Sequence, residues 1–262
     1  IDEELLKKFT GNPELVVTAK TSDQLAKLVK TIAVTSSQIG SRSIILDNEI
    51  NKELSEEDVI GKREKELLKI IKNNKNFDKQ EDFDMAIDLG KKVEEFEDLD
   101  FDPLEVKPIS KKNLVVFFLV DTSGSMSGKK IGTLNTTMEE LLPELRGLGG
   151  ATTDIKLAVM TFSDGCKWIT EEPMSVDDYQ YWTRLKAEGL TDLVEAFTEL
   201  SKKLSRKEFL NSPSLSFAPV IFLLTDGYAT DDVIGGLAQL QHNNWYKYGL
   251  KVALGIGEKF DE

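Results

Sequence analysis

Residues 115–120 are wholly apolar and run into Asp121, Ser123 and Ser125. A bounded apolar run of this length reads as a strand buried on both faces, the kind found in parallel sheets. In open α/β sheets, ligands sit just beyond the carboxyl ends of such strands. The acid and the two hydroxyls therefore stand where a ligand would bind. All three offer oxygen, the donor that hard cations such as Mg²⁺, Ca²⁺ and Mn²⁺ prefer.

A second apolar run, residues 221–224, ends in Thr225, Asp226 and Gly227. Between the two runs, Thr191 sits in a turn ahead of a helical pattern. Residues 113–262 alternate throughout. Strands are expected at 113–120, 154–162, 219–225 and 250–255, with a short partner strand at 167–170. Helices are expected at 130–145, 192–204 and 231–243. This alternation predicts a doubly wound, mostly parallel α/β sheet of Rossmann-like kind, flanked by helices.

In chain order the polar set is D-x-S-x-S (Asp121, Ser123, Ser125), a lone Thr191, then T-D-G (Thr225 to Gly227). That set resembles the metal-ion-dependent adhesion site of von Willebrand factor A (VWA) domains. The resemblance implies a divalent cation held by Asp121, Ser123, Ser125, Thr191 and Asp226. Mg²⁺ is the first expectation, with Ca²⁺ and Mn²⁺ as alternatives. It also implies a protein partner that presents an Asp or Glu carboxylate to the metal, with no bond made or broken.

The closing elements of such a fold are missing after residue 255 and stand at the other end of the chain. Residues 3–9 read as a helix, 14–19 as a short strand, and 23–40 as a helix opened by the capping residues Thr21 to Gln24. Residues 113–262 followed by 1–43 resemble bacterial VWA proteins of the tellurite-resistance TerY-like group, in a circularly permuted order. A slice through tandem copies, or a protomer that swaps its ends with a neighbour, would give the same order. The layout expected is a core at 113–262, a closing helix-strand-helix at 1–43, and a connecting segment at 44–112. That segment is acidic. A helix at 62–73 and four phenylalanines (Phe77, Phe83, Phe96, Phe101) suggest partial folding, and a flexible linker is the competing reading.

Composition narrows the function. The 262 residues carry a net charge of −13, which argues against a nucleic-acid partner. No run of eighteen apolar residues occurs, so no membrane span is expected. The single cysteine, Cys166, suits a reducing compartment, and a cytoplasmic protein is expected. The first residue is Ile, as in a fragment or a processed chain. His242 is the only histidine, and it is expected on a helix surface.

Two other functions compete. A strand ending in Asp, with a Thr and Mg²⁺, also resembles the haloacid-dehalogenase phosphohydrolases. Those need a second acid two residues after the first, and that position here is Ser123. A non-enzyme is therefore expected. The remaining reading is a structural VWA module with a vestigial site.

Overall fold

The computed structural model describes residues 3–19, 21–39, 111–150, 153–211, 216–226 and 233–256. The expected helix at 62–73 and the rest of the acidic segment up to residue 110 lie outside the described residues, as does Gly227.

The elements, in order, are α1 (Glu3–Thr10), β1 (Val16–Ala19), α2 (Ser22–Ile39), β2 (Lys112–Asp121), α3 (Lys129–Leu145), β3 (Thr153–Ser163), β4 (Gly165–Trp168), β5 (Met174–Ser175), α4 (Leu193–Lys203), β6 (Val220–Thr225), α5 (Val233–Gln241), α6 (Asn244–Tyr248) and β7 (Leu250–Ile256). The sheet order is β1-β7-β6-β2-β3-β4, with β5 also pairing β3. Pairs among β1, β7, β6, β2 and β3 are parallel, whereas β4 and β5 join β3 antiparallel.

Alternation along β2 assigns its side chains to two cores. Leu114, Val116, Phe118 and Val120 face one core with α2 and α3. Val115, Phe117 and Leu119 face the other with α1, α4, α5 and α6. A strand can be apolar throughout only when both faces are covered, as here.

The N-terminal segment closes the sheet. β1 pairs beside β7 in parallel, with Val16 opposite Ala253 and Ala19 opposite Ile256. This pairing is made within one chain. A 3-10 turn, Pro13–Leu15, takes the first residues of the expected strand. Thr21 Oγ1 accepts the Gln24 amide and caps α2. From α2, Leu28, Val29 and Ile32 are buried in the first core. From α1, Phe9 stacks on Phe197 at 5.5 Å, and the Tyr246 hydroxyl donates to the Phe9 carbonyl at 2.5 Å.

From β2 the chain crosses through α3 to β3 on one side, and from β6 it moves to β7 on the other. The carboxyl ends of β2 and β6 therefore flank the point where the winding reverses, the usual ligand crevice of such sheets.

Candidate metal centre

β2 ends at Asp121 and β6 at Thr225, on adjacent parallel strands whose register pairs Val120 with Leu224. Asp121 is thus level with Thr225, and Asp226 is the first residue beyond. The Thr225 hydroxyl donates to Asp121 Oδ2 at 2.6 Å, and the Ser123 amide donates to Oδ1 at 2.8 Å. Ser123 and Ser125 place their hydroxyls 3.0 Å apart, and Ser125 Oγ donates to Asp226 Oδ1 at 2.7 Å. Four of the five expected side chains therefore form one continuous polar network across two strand ends.

Thr191 arrives from a separate loop. That loop is tied down by four hydrogen bonds, each donated by a backbone amide. The Glu188 amide donates to the Thr122 carbonyl, Gly124 to Gly189, Leu190 to Asp164 Oδ1, and Asp192 to the Ser163 carbonyl, at 2.7–2.9 Å. Thr191 lies buried within this stretch. Gly189 has φ +83°, and a Cβ there would meet Asp164 Oδ2 at 2.5 Å, so any other residue would be strained.

Helix capping does not account for Thr191, Ser123 or Ser125. Asp192, and not Thr191, caps α4, accepting the Glu195 amide. The cap of α3 is Gly128, and neither Ser123 nor Ser125 caps a helix through its side chain. Asp164 and Asp192 are occupied holding the loop and the helix.

Asp121 has no solvent exposure. Burial raises its carboxyl pKa, with neighbouring Asp226 adding to the rise and the Ser123 and Thr225 hydrogen bonds opposing it. Two close, buried carboxylates favour the arrival of positive charge. One positive group is already present. Lys130, in the first turn of α3, forms an ion pair with Asp226 Oδ2 and also donates to the Ser125 carbonyl at 3.1 Å.

Sequence reasoning missed Lys130, and it missed Asn135. Asn135 is buried on α3, accepts from Trp182 Nε1 at 2.9 Å and the Leu185 amide at 2.8 Å, and donates to the Leu185 carbonyl at 2.9 Å. It anchors the long loop that delivers Thr191. Its signal was a polar residue beside Leu134, on the apolar face of α3.

The expected donor set is two carboxylates and three hydroxyls, with no nitrogen or sulfur. Among the described residues, nowhere do three or more His, Cys, Asp or Glu side chains gather as a metal cluster. A cation here would need the hydroxyls and its own waters, the habit of Mg²⁺. The Lys130 ammonium resting on Asp226 marks where positive charge is accepted. The residues present fit a hard divalent cation.

Residues 116–229 match the family model of the von Willebrand factor type A domain. The fold is VWA-like, a mostly parallel mixed sheet flanked by helices. Among solved structures, similarity is found to a von Willebrand factor type A protein from Catenulispora acidiphila (22% identity, TM-score 0.42, covering 56% of this chain and 34% of that one). It is also found to the ArnB paralog VWA2 from Sulfolobus acidocaldarius (18%, 0.41, 57% and 36%). A third is proximal thread matrix protein 1 from the mussel byssus, solved with a zinc-occupied MIDAS motif (19%, 0.39, 58% and 38%). The chain thus spans little more than a third of the length of these structures. No curated protein matches it. Among the described residues, no helix is long and apolar enough to cross a membrane.

Proposed function

We propose that the chain is a metal-ion-dependent protein-binding module. Asp121, Ser123, Ser125, Thr191 and Asp226 hold a divalent cation, Mg²⁺ first among the candidates, and a partner protein completes its shell with an Asp or Glu carboxylate. When bound, the cation supplies an electrophilic position open to that carboxylate. The observation that carries this reading is the contact of Ser125 with Asp226. It joins residues 101 apart in the chain at the carboxyl ends of two parallel strands.

Three features support a binding role over an enzymatic one. The position of a general acid is Ser123, whose hydroxyl is paired with Ser125. Cys166 is no nucleophile. Burial, followed by Glu195 and Glu199, pushes its thiol up to about 12, so it stays protonated at neutral pH. His242 follows the last residue of α5, the end of that helix away from the site, and contacts the Ala238 carbonyl of its own last turn.

The finer reading rests on the resemblance. It extends the proposal to a TerY-like scaffold of bacterial stress response or phage association, cytoplasmic, with its domain circularly permuted. The pairing of β1 with β7 supports the permuted order.

Calorimetric titration of chelator-treated protein with Mg²⁺ and Mn²⁺ tests the core claim. Binding in the micromolar to millimolar range is expected, with Ser125→Ala and Asp226→Ala each weakening it by at least about tenfold, or ~1.4 kcal/mol. A wild-type chain that binds neither metal at millimolar concentration defeats the proposal.

A further inference from the structure

Lys130 is placed against ordinary helix electrostatics. It is the second residue of α3, and Lys129 precedes it. The amino end of a helix carries partial positive charge and disfavours a lysine. What compensates is Asp226, whose side chain has no exposure, and the Ser125 carbonyl. Both oxygens of Asp226 are taken, Oδ1 by Ser125 and Oδ2 by Lys130. The ammonium thus occupies a carboxylate oxygen that would otherwise be open to a cation. Its own side chain remains 38% exposed, so it can leave toward solvent without disturbing the core.

We infer that Lys130 is a tethered competitor for the cation, holding Asp226 when metal is scarce and yielding it when metal binds. The inference rests on the metal-binding reading above. The physical reason is charge. A divalent ion and an ammonium on one carboxylate repel each other, so each weakens the other's hold on it. The tether makes the competitor permanent and sets a metal concentration below which the site stays closed. Lys130 thereby acts on the affinity of the site without being one of its ligands.

Three proteins separate this from a packing role: wild type, Lys130→Met, which keeps the apolar stem, and Lys130→Arg, which keeps the charge. Each is titrated with Mg²⁺ and Mn²⁺ in the calorimeter, with circular dichroism to confirm folding. The methionine variant should bind about tenfold more tightly than wild type, ~1.4 kcal/mol, and the arginine variant within about twofold. A second readout is acylation of the Lys130 amine, followed by mass spectrometry, which should be faster in Mg²⁺ than in chelator. Equal or weaker binding by that variant, with wild type binding normally, overturns the competitor while leaving the proposed function intact. An arginine variant as tight as the methionine one also overturns it. If none of the three proteins binds metal, the competitor and the metal-binding reading fall together.

Discussion

Asp121 is a carboxylate with no solvent exposure, and a second carboxylate stands just past the neighbouring strand end. Its pKa is raised above 3.8 in the folded protein, chiefly by burial. The sign of the consequence follows from proton counting. Between 3.8 and the raised value, the native state holds more protons than the unfolded one, so stability falls as pH rises through that window. Above it, the metal-free protein carries the full cost of a buried charge. Asp121→Asn removes that charge and keeps an oxygen for the Ser123 amide. In chelator at pH 7 it should raise Tm by roughly 2–4 °C, the scale of ~1 kcal/mol in a domain of this size, while abolishing metal binding. A lower Tm in differential scanning calorimetry would show that Asp121 stabilises the fold on its own account. Asp121, Ser123, Ser125 and Asp226 were legible because each follows directly on an apolar strand, and strand ends are where such sheets bind. Lys130 was not. Its partner Asp226 is 96 residues away, and a lysine at the start of an amphipathic helix reads as one more solvated charge.

Among elements, the strands and helices with a clear period came through, within a residue or two at most ends. The β5 pair did not, because Met174 and Ser175 become a strand only by lying against Leu157 and Lys156 of β3. The loop ahead of α4 has no period to read. Its shape comes from contacts with distant groups: Asn135 at Trp182 and Leu185, and Asp164 at Leu190. Gly189 offers a test of how tightly this loop is tied to the site. Gly189→Ala combines a left-handed backbone with a clash on Asp164. It should destabilise by about 1–3 kcal/mol and weaken metal binding as Thr191 shifts. Gly147, at φ +73°, has open space where a Cβ would stand, with no other atom within 4 Å. Gly147→Ala should show the backbone cost alone, with metal affinity unchanged. Chemical denaturation and calorimetry on the two variants read both effects. Equal metal affinity in the two would mean that the loop does not position the site.

At the scale of the molecule, the N-terminal segment is part of the sheet's core. Leu6, Phe9, Leu15, Val16, Val17, Leu28, Val29 and Ile32 are all buried, in both cores. At about 1.5–3 kcal/mol for each fully buried side chain, these eight are worth roughly 12–24 kcal/mol before entropy is subtracted. A domain's whole net stability is about 5–15 kcal/mol. Removing the segment would also bare β7, an apolar strand that would become an open edge. A chain lacking residues 1–39 should therefore be insoluble or lack a cooperative unfolding transition. What the fold needs from this segment is its place beside β7, and its position in the chain is secondary. Moving residues 1–39 to follow residue 262 would let β7 lead into α1, which already packs on β7. That rearranged chain should melt cooperatively and bind metal within about twofold of the original, a difference of ~0.4 kcal/mol. If the truncated chain folds and binds metal normally, or the rearranged one does not fold, the N-terminal segment is not the displaced closing unit of this sheet.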